Sequence, residues 1–247
     1  SVDTEAPDVP VYAFFTPDAV TFYLDTSGEP LFKRGFKREA SAASIKENLA
    51  AGLLMLSGWE PGTPLLDPMC GAGTILLEAA DMALNRAPGR SRHFAFEHYR
   101  DVDAALWKRI KMEAQAQEKP LAHLPIFGAD QDRWVLDKAR NNLAAAGYAD
   151  AIELKVSDLL DLKAPTPVGT LVTNPPYGER LGEAEDLAEW YPLLGDWLKK
   201  NFSGWEAWII SGDPLLPKLF GLKASPRIPL FNGPSETRLL QYKIVAA

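Results

Sequence analysis

Short apolar runs alternate with stretches of helical periodicity along most of this chain. Pro64-Leu65-Leu66-Asp67 is an apolar run closed by an acid; a glycine turn follows, and then the helical Ile75-Leu76-Leu77-Glu78-Ala79-Ala80. The run at 125–130 likewise ends in Asp130 and leads into a helix expected over 133–146. A third run, 151–156, ends at Ser157-Asp158, and a fourth, Val168-Gly169-Thr170-Leu171-Val172, ends at Thr173-Asn174. Beyond it the pattern predicts a helix over 187–200, a strand over 205–210 and a short helix near 215–220. Two closing strands near 228–231 and 238–245 are joined around Asn232-Gly233. Strands alternating with helices, then a late hairpin, predict a mostly parallel α/β sheet that carries one antiparallel strand. Upstream, Ser44-Ile45-Lys46-Glu47 reads as a capping box, with Ile45, Leu49 and Leu53 at helical spacing until Gly58. Before that lie two β-rich runs, Val11–Phe15 and 20–25, separated by Thr16-Pro17-Asp18-Ala19; a piece this small does not make a domain by itself.

The 247 residues suit one α/β domain with an appendage, and 47% hydrophobic content suffices for its core. The expected division is an N-terminal β segment at 1–38 and a main domain at 39–247. In a sheet of this kind the first two acids stand about 20 residues apart, so the longer interval implies an insertion at about 85–122. The formal charge of −7 argues against a surface that coats itself non-specifically with nucleic acid, although local basic patches remain. Lys33-Arg34-Gly35-Phe36-Lys37-Arg38 is one such patch. In the other, Arg86, Arg90, Arg92 and Arg100 interleave with His93, Phe94, Phe96 and Tyr99, which suits phosphates and unpaired bases, or equally a charged loop whose aromatics plug a core. One cysteine and three histidines give no disulfide and no metal-ligand spacing. The absence of a long apolar run and of a signal-like start makes a cytoplasmic setting the expectation.

The chemistry concentrates at strand ends. Asn174-Pro175-Pro176-Tyr177 follows a buried-type strand, and its paired prolines hold the backbone extended while a carboxamide, carbonyls and an aromatic face stand together. Such a set accepts hydrogen bonds from an –NH2 on a planar group and stacks on its plane. Upstream, Asp67-Pro68-Met69-Cys70-Gly71-Ala72-Gly73-Thr74 joins strand to helix through two glycines, but it is not the dinucleotide fingerprint. Asp67 would repel a pyrophosphate and hold a cationic amino group, which favours a methionine-derived sulfonium cofactor. Asp130 suits ribose hydroxyls, Asp132 a helix cap, and Asp158 either an adenine amino group or a plain turn. Cys70, inside the turn and without a base beside it, reads as a small buried side chain.

These two motifs resemble the class I S-adenosylmethionine-dependent methyltransferases that act on exocyclic amines. More narrowly, together with Lys33 to Arg38, Lys46-Glu47-Asn48-Leu49-Ala50, and the ending from Phe231-Asn232-Gly233 to Arg238-Leu239-Leu240, they resemble the RlmL type of guanine-N2 methyltransferase. The resemblance implies a Rossmann-like seven-stranded fold and S-adenosylmethionine as cofactor. It implies large-subunit ribosomal RNA, protein-free or partly assembled, as partner, with no membrane and no metal. It makes Asn174, Pro175, Pro176 and Tyr177 the catalytic set. Asp67, Gly71 and Gly73 would line the methionine end, Asp130 the ribose and Asp158 the adenine, with Pro68, Cys70, Thr74, Gln131 and Asn174 completing the cofactor set. Lys33, Arg34, Lys37, Arg38, Arg90 and Arg92 would contact RNA. The 1–38 segment would be the remnant of, or linker to, a THUMP RNA-binding domain. Adenine N6, protein glutamine N5 and a non-catalytic RNA-binding role remain as alternatives.

Overall fold

The sheet is built where apolar runs were densest. The computed structural model describes residues 7–35, 39, 45–175 and 184–245, with the backbone alone at 184–186. The chain divides into two compact units, 1–35 with 85–119, and 36–84 with 120–247.

In the larger unit, α1 (Glu47–Leu56) precedes β3 (Leu65–Asp67), α2 (Thr74–Ala83), β4 (Ile126–Asp130), α4 (Arg133–Ala145), β5 (Glu153–Val156) and β6 (Gly169–Thr173). Then come α5 (Ala184–Asn201), β7 (Trp205–Ser211), α6 (Leu216–Leu219), β8 (Arg227–Asn232) and β9 (Ser235–Lys243). The strand order is β5-β4-β3-β6-β7-β9-β8 in a seven-stranded sheet. Every pairing from β5 to β7 is parallel, and β9 runs antiparallel to both of its neighbours. This is the mostly parallel α/β sheet with one antiparallel strand expected from the alternation of elements, and it has the seven strands that the resemblance implies.

The sheet separates two apolar layers, because successive side chains of a strand point to opposite faces. Leu65, Val172, Trp208 and Ile210 join α1, α2 and α4 on one face. Leu66, Leu171, Ile209 and Tyr242 join α5 and α6 on the other. α1 begins at Glu47, with Lys46 in extended conformation before it; Ser44 of the expected capping box lies outside the described residues.

The smaller unit contains the hairpin of β1 (Val11–Phe15) and β2 (Val20–Leu24), a 3-10 turn at Ala95–His98, and α3 (Ala104–Ala116). Arg92 holds it together, donating to the carbonyls of Ser27 and Pro30, both at 3.0 Å, and to that of Glu29. Tyr99 Oη donates to the Asp25 carbonyl at 2.9 Å. Phe94, Phe96 and Trp107 form one aromatic cluster, with ring centroids 5.0 to 5.7 Å apart. Arg86 to Glu118 at 3.5 Å, and Asn85 Nδ2 to the Gln117 carbonyl at 3.1 Å, tie the two ends of the insertion together. No helix among the described residues is long and apolar enough to cross a membrane.

Candidate active site

The strand order places a crevice at the carboxyl edge of β3. From β3 the chain builds outward through β4 and β5, then crosses to the other side as β6, and loops leaving neighbouring strands in opposite directions open a ligand-sized gap there. The register aligns the candidate residues along this edge. Asp67 pairs with Gly128, and Leu66 with Leu171, so Asp130 and Asn174 each lie two residues further along strands that flank Asp67. Val156 pairs with Asp130, and Asp158 follows two residues beyond it.

Asp67 is 2% exposed. Its Oδ1 accepts from Thr173 Oγ1 at 2.8 Å and from the Met69 N–H at 3.2 Å. Burial raises its pKa from 3.8 to about 7; the two hydrogen bonds oppose the rise, and nearby Asp130 adds to it. No cationic group among the described residues pairs with it.

The turn after Asp67 is held at several points. Cys70 N–H donates to the Ala129 carbonyl at 2.9 Å, and Gly71 N–H to Asp130 Oδ2 at 3.0 Å. Gly71 and Gly73 have φ of 55° and 82°, a region that favours glycine. A Cβ on Gly73 would also stand 3.3 Å from that of Ala139. Asn142, fully buried on α4, bolts the turn from behind: its Nδ2 donates to the carbonyls of Ala72 at 3.0 Å and Glu39 at 2.8 Å, while its Oδ1 accepts from Glu39 N–H at 3.0 Å. Burial, with Asp67 and Asp130 nearby, pushes the Cys70 thiol well above its ordinary range, so it packs and does not attack. Pro68 and Thr74 are buried beside it, and Gln131 is exposed beyond β4.

Asp130 Oδ1 accepts from Asp132 N–H at 3.0 Å, so both carboxylate oxygens organise the edge. Asp132 caps α4, accepting from Trp134 N–H at 2.8 Å and Val135 N–H at 3.3 Å. Asp158 caps a short 3-10 turn through Leu160 N–H at 2.8 Å. Asn174 is half-buried and Pro175 buried at the end of β6; Pro176 and Tyr177 lie outside the described residues.

The basic candidates among the described residues belong to the smaller unit. Lys33 pairs with Glu29, Arg34 donates to the Leu31 carbonyl at 3.1 Å, Arg90 to that of Ala87 at 3.1 Å, and Arg92 makes the clamp described above. Lys37 and Arg38 lie outside the described residues. Thr173 and Asn142 carry site geometry that sequence reasoning did not assign. Thr173 stood inside the quoted motif, but only the adjacency of β3 and β6 gives its hydroxyl a partner.

Residues 34–241 match the family model UPF0020, described as RMKL-like, methyltransferase domain. A Synechocystis protein named as an RNA methyltransferase is 38% identical over 245 residues, 99% of this chain and 64% of that protein. The crystal structure of SMU.472, named as a methyltransferase and complexed with S-adenosylhomocysteine (SAH), superposes with a TM-score of 0.90 at 36% identity over 97% of this chain and 62% of that one. A Listeria monocytogenes protein named as an N6-adenine-specific DNA methylase superposes with a TM-score of 0.84 at 33% identity over 95% of this chain and 60% of that one. The chain thus spans a little under two thirds of the length of these relatives. With a match over most of its length, the chain belongs to the UPF0020 family as an RMKL-like methyltransferase domain.

Proposed function

We propose that this domain transfers a methyl group from S-adenosylmethionine to the exocyclic N2 of a guanine in large-subunit ribosomal RNA, free or partly assembled. The observation that carries the reading is the shared edge of Asp67, Asp130 and Asn174 around a glycine turn. The cofactor fits the donor set. A buried carboxyl at about 7 with no cation beside it among the described residues suits a ligand ammonium group, and a second carboxylate two positions along the neighbouring strand suits ribose hydroxyls. SMU.472, a relative at 36% identity, was crystallised with the demethylated product of that cofactor.

When bound, S-adenosylmethionine supplies a methyl group already activated by its sulfonium. The protein's part is positioning. The Asn174 carboxamide and Pro175 carbonyl accept from the guanine amine, restrict delocalisation of its lone pair into the ring, and orient it. Tyr177 stacks on the base, which leaves its helix or loop to reach the crevice. Asp67 holds the amino group of the cofactor and Asp130 its ribose, while Asp158 accepts from its adenine; Pro68, Cys70, Thr74 and Gln131 complete the contour. The amine loses its proton after transfer, so no strong general base is required.

The segment 1–38 we assign to a THUMP RNA-binding domain or its linker, and residues 39–247 to catalysis with the insertion at about 85–122. The exposed β1–β2 hairpin and the greater length of the relatives support this. Lys33, Arg34, Lys37, Arg38, Arg90 and Arg92 then contribute to RNA contact. Adenine N6 is the second reading, favoured by the Listeria relative's name.

The test is incubation with labelled S-adenosylmethionine and unmodified, deproteinised large-subunit ribosomal RNA, followed by digestion to nucleosides. Labelled N2-methylguanosine is expected. Labelled N6-methyladenosine would replace the first reading with the second.

A further inference from the structure

Thr173 enters the site only through the fold. The paired register of β3 and β6 closes at Leu66 with Leu171, so Asp67 and the residues from Val172 onward lie beyond it. On its other side β6 stays paired to β7 as far as Thr173 with Ile209. The hydrogen bond from Thr173 Oγ1 to Asp67 Oδ1, 2.8 Å long, therefore carries the contact between β3 and β6 to their carboxyl edge. Thr173 is 1% exposed, so this bond is shielded from water, and Asn174 follows it directly in the chain.

The two oxygens of Asp67 are used unequally. Thr173 Oγ1 and the Met69 N–H both converge on Oδ1, and among the described residues nothing donates to Oδ2. A carboxylate is planar, so donors fixed on one oxygen also set the direction in which the other presents its lone pairs. In a side chain this buried, an oxygen without a donor is costly. The ionisable groups on the surrounding elements do not offset that cost. Asp130 on β4 disfavours the Asp67 anion, and Cys70 in the turn feels its field. Arg140 on α4 acts on Cys70 and is paired with Asp137; on α2, Glu78 is buried and Asp81 takes the Tyr148 hydroxyl. A ligand ammonium beside Oδ2 supplies both a donor and a positive charge.

We propose that Thr173 is a positioning residue for the cofactor: its hydroxyl turns the Asp67 carboxylate so that Oδ2 meets the ammonium of the methionine end. This role rests on the cofactor reading given above. The same hydrogen bond opposes the effect of burial, so Asp67 carries its charge at a lower pH than it otherwise would. Thr173 thus governs both the direction and the charge of the group that holds the ligand. What the role requires is a hydroxyl at this place. Serine keeps it, whereas valine keeps the branched shape and suits a strand without it.

The test measures SAH affinity of the 247-residue chain by calorimetry between about pH 5.5 and 8.5, in the wild type, Thr173→Val and Thr173→Ser. Wild-type affinity is expected to fall below about pH 7, as Asp67 takes up a proton. Thr173→Val should move that midpoint upward by about one pH unit, which makes binding up to about tenfold weaker below about pH 7 and closes the gap as pH rises. Thr173→Ser should return the wild-type profile. A second probe, 5′-methylthioadenosine, keeps the adenosine and thioether of SAH but lacks the amino-acid end. Its affinity should be the same in all three proteins. An unmoved midpoint in Thr173→Val, or an equal loss at every pH for both probes, would overturn the positioning role. Wild-type SAH affinity that is absent, or flat with pH, would instead defeat the cofactor reading beneath it, and the proposal with it.

Discussion

Asp67 shows how a single residue can be both a cost and a tool. Its native pKa lies near 7 against an ordinary 3.8, so the folded chain holds this proton more tightly than the unfolded one. Stability contributed here is therefore present at low pH and eroded as pH rises from about 4 through 7. Asp67→Asn should flatten that dependence, measured as thermal midpoint against pH. Cofactor binding has the opposite sign, because an ammonium group requires the carboxylate. SAH affinity of the wild type should fall by up to about tenfold per pH unit below about pH 7, and titration calorimetry on Asp67→Asn should show no such slope. A wild-type affinity that is flat across this range would remove the ammonium role. At the other end of the crevice, Asn174→Ala should lower kcat about 100-fold or more while SAH affinity stays within several-fold. Asp130→Ala should mainly weaken SAH binding; equal loss of SAH binding in both variants would defeat this division of roles.

At the scale of elements, close packing decides what the pattern of apolar residues cannot. Gly195 lies within α5, and a Cβ there would stand 1.8 Å from the Phe220 carbonyl oxygen, just after α6. Backbone cannot swing aside as a side-chain tip can, so Gly195→Ala should cost about 3 kcal/mol, read as a lower denaturant midpoint at unchanged m-value. An unchanged midpoint would show that α6 shifts freely. α3 makes the complementary point. It has no buried residue along Ala104–Ala116, with Leu106 and Ile110 exposed and Trp107 packed on Phe94 and Phe96, and its clearest mark is the Asp103 cap, which accepts from Leu106 N–H at 2.9 Å.

At the scale of the whole molecule, each unit has its own logic. The larger unit buries apolar side chains on both faces of its sheet. In the smaller, every residue of β1 and β2 is exposed, Phe14 at 59% and Phe22 at 70% among them. Phe14 pairs with Thr21 and Phe22 with Ala13, which places the two rings on opposite faces of the hairpin. Two exposed apolar faces promote association. Phe14→Ser combined with Phe22→Ser should reduce self-association in sedimentation velocity, while the main unfolding transition moves by no more than about 2 °C. A large fall in that transition would mean that the hairpin supports the main domain.

The sequence by itself determined the fold class and set the candidate residues at strand ends. Strand runs closed by Asp67, Asp130, Asp158 and Asn174 are local patterns of apolarity and turn chemistry, and those are written residue by residue. It also separated Asp132, as a helix cap, from Asp130. What it could not determine were relations between strands and helices distant in the chain. The Thr173 hydroxyl on Asp67, the Asn142 bolt behind the glycine turn, and the Arg92 clamp on residues 27–30 depend on elements brought together only by folding. Tertiary structure decided these because a hydrogen bond or a cavity needs two surfaces at a fixed distance, and the pattern along one segment specifies only its own face.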